Sequence, residues 1–196
     1  MPASISIAPS ELRSTELILG GQKSGKSARA ETLAVHWLQA SEQHQAVFIA
    51  TAQAWDAEMQ ARIARHQADR ALRLPQMRTL EEPRAIAALI REHSRADTLI
   101  VLDCITLWLN NCMMPVDDAP LGAEELNAAL MELLVALQSA QGPIVLVSNE
   151  IGLGVIPLGA EVRAYVDQLG KFNQALAAQV ARVSWMLAGL PVIVKE

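Results

Sequence analysis

The segment Gly20-Gly21-Gln22-Lys23-Ser24-Gly25-Lys26-Ser27 constrains this chain more than any other feature, because it fits G-x-x-x-x-G-K-[ST] at every fixed position. The apolar run 17–19 precedes it, and a strong helix former, ARAETLAVHWLQA, follows. A strand, a glycine-rich turn and a helix in that order aim backbone N–H groups at a polyphosphate that side chains would otherwise obstruct. The positive end of the helix points at the same anion. Lys26 is then expected to reach the β- and γ-phosphates, and Ser27 to offer its hydroxyl to Mg²⁺. The segment reads as a phosphate cradle.

The remainder of the chain repeats the strand-then-helix pattern. Short apolar runs at 46–50, 98–102 and 144–147 alternate with helical periods at about 26–40, 56–70, 83–95 and 124–140. Strands need not alternate polar with apolar when helices cover both faces of a parallel sheet. The expected fold is therefore α/β, a doubly wound and mostly parallel P-loop NTPase-like sheet. A helix over 160–181 is followed by two final strands around Gly189-Leu190-Pro191, read as a tight-turn pair. The 113–122 stretch, with two prolines and two aspartates, reads as a loop.

Composition narrows the function classes. With 196 residues and 52% of them apolar, one domain with a full core is expected over 16–196, after a polar extension at 1–15. A net charge of -5 excludes a broad basic footprint, so neither nucleic acid nor an anionic membrane is an expected partner. No apolar run is long enough to span a bilayer, and residues 1–16 lack a signal-peptide pattern. Cys104 and Cys112 match no zinc spacing. A cytoplasmic, reduced protein is expected.

Three further features carry chemistry. Asp103 ends the run 98–103, and an acid at a central strand's carboxyl end is where P-loop enzymes hold Mg²⁺ or its water. Glu150 ends another run and could polarise a water or a hydroxyl. In 56–70, Met59, Ile63 and His66 share one helical face, with Arg62 a turn before His66 and Arg70 a turn after. Nearby guanidinium groups favour neutral imidazole, the nucleophilic form, and could also hold a phosphate. Spacing alone fits a packed or half-exposed helix residue at least as well. His36, His44 and His93 read as structural, and the four tryptophans as core or interface anchors.

Five segments taken together resemble the bifunctional adenosylcobinamide kinase/adenosylcobinamide-phosphate guanylyltransferase family of cobalamin biosynthesis. They are GGQKSGKSARAE (20–31), FIATAQAWDAEMQARIARHQADR (48–70), LIVLDCITLWLNN (99–111), VLVSNEIGLGVIP (145–157) and the stretch from Tyr165 to Lys195. The resemblance implies a RecA-like P-loop fold and homo-oligomers. It implies that His66 carries GMP as a covalent intermediate. It further implies that GTP is held by the phosphate loop, by Thr51, Ala52 and Gln53, by Gln67, Ala68, Asp69 and Arg70, and by Glu81 and Asp103. Glu82 follows Glu81 directly. Family members often have Arg where this chain has Lys23, which keeps the charge but not bidentate pairing. ATP or GTP would serve the kinase step, Ser27 and Asp103 would hold Mg²⁺, and adenosylcobinamide and its phosphate would be the substrates. A plain small-molecule kinase, or a nucleotide-dependent switch, would share the cradle but would not use the R-I-x-x-H helix.

Overall fold

In the computed structural model, which describes residues 14–196, strands and helices interleave as the apolar runs predict. The chain forms β1 (Thr15–Gly20), α1 (Lys26–Ala40), β2 (Gln45–Ala50), α2 (Ala57–Arg73), β3 (Arg78–Glu81), α3 (Ile86–His93) and β4 (Thr98–Asp103). It continues through α4 (Ile105–Met113), α5 (Ala123–Gln138), β5 (Ile144–Val147), α6 (Ala160–Gln179), β6 (Arg182–Leu187) and β7 (Leu190–Lys195). Apart from Ser14 and Thr15, the polar extension expected over 1–15 lies outside the described residues, and Thr15 already opens β1.

One seven-stranded sheet results, in the order β3-β2-β4-β5-β1-β6-β7. Every neighbouring pair is parallel except β6 with β7, the expected terminal pair. Helices bury both faces, so successive residues of one strand enter different cores. Leu17, Ile100, Leu102, Ile144 and Leu146 pack with Ile90, Trp108, Leu133 and Phe172 on one side. Ile18, Leu99, Val101 and Val145 pack with Ala30 and Leu33 of α1 on the other. That explains the unbroken apolar runs of β4 and β5.

Two elements differ from the sequence reading. β3 was not anticipated because its four residues, RTLE, are largely exposed at the sheet edge and carry no apolar run. α4 was not anticipated because ITLWLNNCM is buried on most sides, which erases the 3.6-residue period. The final turn also shifts. It is Ala188-Gly189, both with positive φ (50° and 84°), while Leu190 and Pro191 already belong to β7. Two positive-φ residues suit the twist of a two-residue hairpin, and Pro is tolerated on an edge strand.

Both cysteines are buried and unpaired with each other. Burial pushes the thiols up, to about 12 for Cys104 and about 11 for Cys112, so both stay protonated near neutrality. No helix among the described residues is long and apolar enough to cross a membrane. Of the described glycines, Gly142 on the approach to β5 leaves the least room for a side chain. A Cβ at Gly142 would sit 2.0 Å from the Arg95 carbonyl oxygen and 2.5 Å from that of Thr98. Gly142→Ala is expected to destabilise the fold by about 1–3 kcal/mol, as overpacking does. A urea midpoint matching that of the unsubstituted protein would contradict this.

Candidate active site

Because β1 to β6 run parallel, the ends of β1, β2, β3, β4 and β5 open on one edge of the sheet, where ligands of such folds collect. The cradle lies there, between β1 and α1. Gly25 (φ 104°) holds a backbone conformation that side chains rarely adopt, and Gly20 leaves a side chain no room. A Cβ on Gly20 would meet Ser24 Oγ at 2.6 Å and the Met186 carbonyl oxygen at 2.8 Å. The terminal hairpin braces the loop from outside, with Gly189 N–H donating to the Ser24 carbonyl at 3.0 Å. Gly21, Gln22 and Lys23 are exposed along the loop's crest.

Lys26 is buried, and its Nζ donates to the Gly21 carbonyl at 2.7 Å. Burial holds its ammonium below the ordinary lysine value, an effect that Asp103 opposes and Arg62 of α2 reinforces. An anion entering the loop would relieve that cost. Ser27 Oγ donates to Asp103 Oδ2 at 2.6 Å, bringing together the two groups expected at a metal. Among the described residues no cluster of three or more His, Cys, Asp or Glu could hold a metal by itself. A hydroxyl and one carboxylate fit Mg²⁺, which takes oxygen ligands and keeps phosphates and waters for the rest.

The segment after β2 is fixed from below. Thr51 is buried; its N–H donates to the Asp103 carbonyl at 3.1 Å, and its Oγ1 is 2.8 Å from both the carbonyl and the N–H of Cys104. Ala52 and Gln53 follow, half-buried. Asn111 of α4, unforeseen in the sequence, donates from Nδ2 to the Thr51 carbonyl (2.7 Å) and to the Pro83 carbonyl (3.1 Å). It clasps the segments after β2 and β3 together. No local pattern reveals it, since its partners are far away in sequence.

Helix α2 completes this edge. Asp56 caps it, accepting from Met59 N–H at 2.7 Å. Only Arg70 of its residues is buried, stacked 3.8 Å above the Phe48 ring with Nε 3.4 Å from Thr79 Oγ1. Burial lowers the Arg70 guanidinium from its ordinary value against the pull of Glu31, Asp103 and Glu81. Gln67 donates to Glu81 Oε1 at 2.6 Å. Glu82 turns the other way, accepting from Arg84 and Ala85 N–H at the start of α3. Ala68 is exposed and Asp69 half-buried, so neither joins the packed cluster. A second unforeseen contact is the ion pair of Arg73 with Glu31 of α1 (2.9 Å). Burial raises the Glu31 carboxyl; Arg73 and Arg70 oppose this, Asp103 adds to it, and His66 opposes it. His66 itself is exposed, on the α2 helix that Arg73 ties to the helix beginning with Lys26.

Strand order, cradle and acid together define a P-loop nucleotide-binding enzyme. Among solved structures, the flagellar accessory protein FlaH of Methanocaldococcus jannaschii shares the fold, with a TM-score of 0.51 at 14% identity over 93% of this chain and 78% of that one. The particular family is narrower: the chain belongs to the cobinamide kinase / cobinamide phosphate guanyltransferase family, whose model matches residues 16–194. The bifunctional adenosylcobalamin biosynthesis protein CobP of Pseudomonas aeruginosa is 48% identical over 92% of this chain and 96% of its own length. CobU of Salmonella typhimurium, named with the same bifunctional role, is 34% identical over 91% and 98%. The chain is accordingly an enzyme of cobalamin biosynthesis, a cobinamide kinase and cobinamide-phosphate guanylyltransferase.

Replacing Asn111 with Leu keeps much of the shape but strands the Thr51 and Pro83 carbonyls. Asn111→Leu is expected to cost about 2 kcal/mol of stability and to raise the nucleotide KM several-fold. Denaturant titration and nucleotide kinetics that both match the unsubstituted enzyme would contradict the clasp.

Proposed function

We propose that one phosphate loop serves both reactions and that His66 is the nucleophile of the second. In the kinase step the hydroxyl of the aminopropanol arm of adenosylcobinamide attacks the γ-phosphorus of ATP or GTP; the bond from that phosphorus to the bridging oxygen breaks, the nucleoside diphosphate leaves and the hydroxyl proton passes to water. Lys26 and the N–H groups from Gly20 to Ser27 hold the phosphates and oppose the charge that builds up in transfer. Ser27 and Asp103 would hold Mg²⁺, which when bound neutralises phosphate charge. In the guanylyl step His66 attacks the α-phosphorus of GTP, a nitrogen–phosphorus bond forms, and pyrophosphate leaves. The phosphate of adenosylcobinamide phosphate then displaces the imidazole, giving adenosylcobinamide-GDP. A covalent relay spares the site from holding two polyanions at once.

The observation that carries this reading is the ion pair of Arg73 with Glu31 (2.9 Å), which ties the helix bearing His66 to the helix that opens the phosphate cradle. Thr51, Ala52, Gln53, Gln67, Ala68, Asp69, Arg70 and Glu81 are read as holding the guanine nucleotide between the sheet edge and α2. The phosphate loop grips the outer phosphates, whereas His66 needs the inner one. We therefore read α2 as mobile: it closes on the loop when GTP binds, and its slight burial, complete only at Arg70, favours such motion. A cytoplasmic homo-oligomer completes the reading. The oligomeric part is supported by exposed Met131 and Val135 on α5 and by Leu190, Val192 and Val194 along β7.

Incubation with GTP labelled at the α-phosphorus tests the nucleophile. Acid-labile label is expected on the denatured protein, and His66→Ala is expected to lose it, with guanylyl transfer falling by more than about 10³-fold while the kinase step persists. Label retained by His66→Ala would contradict the assignment.

A further inference from the structure

The groups gathered around the cradle suit a nucleotide, being charged or hydrogen-bonding. The other substrate is different. A corrin macrocycle is broad, edged with methyl groups and neutral carboxamide arms, and its reacting hydroxyl sits at the end of a side arm. Its ring needs an apolar, uncharged seat within reach of the phosphate loop. One segment combines those properties.

The loop after β5 reads Ile151-Gly152-Leu153-Gly154-Val155-Ile156-Pro157-Leu158-Gly159 and carries no charge. Its aliphatic side chains face water: Leu153 is 74% exposed, Val155 96%, Ile156 76% and Leu158 98%. Loops are usually polar, and contiguous apolar surface of this kind marks a contact site. The loop is also built rather than loose at its ends. Glu150 N–H donates to the Gly20 carbonyl (3.1 Å), so the loop departs from the first glycine of the cradle. Asn149 N–H donates to Thr106 Oγ1 (2.8 Å), and Asn173 Nδ2 to the Asn149 carbonyl (3.1 Å). At the far end Arg163 Nη1 donates to the Pro157 carbonyl (3.0 Å). Gly152 N–H donates to Glu150 Oε1 (3.3 Å), which fixes the start of the loop, and a Cβ at Gly154 would meet nothing nearer than the Ile151 carbonyl at 3.7 Å.

We propose that loop 151–158 is the platform on which the corrin ring of cobinamide and of its phosphate docks, placing the side-arm hydroxyl at the phosphate loop. The proposal rests on the reading that this hydroxyl attacks a phosphate held by the cradle. Continuity decides the occupant: the apolar surface begins where the cradle begins, on the edge of the sheet where the reaction takes place. A surface serving only to join copies of the chain would have no need to start at the Gly20 carbonyl. Charge agrees, since neutral carboxamides ask for no counter-ion and residues 151–159 carry none, while Glu150 and Arg163 at the two ends are engaged by the loop's own backbone.

Val155 and Leu158 stand almost wholly in water, so replacing both with Ser leaves the core untouched. The double variant Val155→Ser, Leu158→Ser is expected to raise the cobinamide KM in the kinase step by at least about tenfold, from the lost burial of two aliphatic side chains. The nucleotide KM and the mass in solution are expected to stay unchanged. A cobinamide KM within twofold of the unsubstituted enzyme overturns the platform. A fall in mass accompanying the rise in KM also overturns it, and assigns the loop to a second copy of the chain. Because the readout is the kinase step, failure of the guanylyl-histidine reading leaves this test intact. Absence of any cobinamide phosphorylation by the unsubstituted enzyme would instead sink the cradle chemistry itself.

Discussion

The conformation of the glycine loop organises the rest of this molecule. With the Lys26 ammonium held against the Gly21 carbonyl, the loop could act as a phosphate cradle only if it is kept in a conformation that ordinary residues resist. The fold supplies that restraint from several sides. β1 is flanked by β5 and β6, Gly20 is pressed against Ser24 and Met186, and the Ala188-Gly189 turn bonds the loop's back. The terminal hairpin is thus a brace for the cradle as well as the end of the sheet. Asp103 reaches Ser27 because β4 lies one strand beyond β5 and ends at the same edge.

Against that rigid grip stands a helix held lightly. α2 attaches mainly through its last turns, where Arg70 stacks on Phe48, Gln67 meets Glu81 and Arg73 pairs with Glu31. Its earlier turns, with Arg62 and His66, are largely exposed. The contrast suits an enzyme with two reactions at one nucleotide. In the proposed mechanism the braced loop would hold the phosphates in both reactions, and the loosely held helix would bring the nucleophile of the second.

The cradle is legible in the sequence because its signal is local: its glycines, Lys26 and Ser27 all fall within residues 20–27, between a strand and a helix. Asp103 is legible for a similar reason, an acid closing an apolar run. His66 was different. Helical spacing alone gave it no special standing, and only the resemblance across several segments raised it. Asn111, Glu31 and Arg73 escaped notice because their work lies in contacts between distant segments. β3 and α4 were missed for opposite reasons, one too exposed and the other too buried to show a period. Glu81 and Glu82, indistinguishable as neighbours in the sequence, separate once β3 is seen to aim one at Gln67 while the other caps α3.

The central claim is that one nucleotide is gripped by the loop and delivered to α2. The buried, protonated thiols of Cys104 and Cys112 leave the protein open to selective labelling at introduced cysteines. Spin labels at Ala64→Cys on α2 and Leu187→Cys beside the terminal hairpin would report the separation of helix and loop. A shorter and narrower distance distribution on adding GTP is the predicted result. A distribution that GTP leaves unchanged would contradict the account.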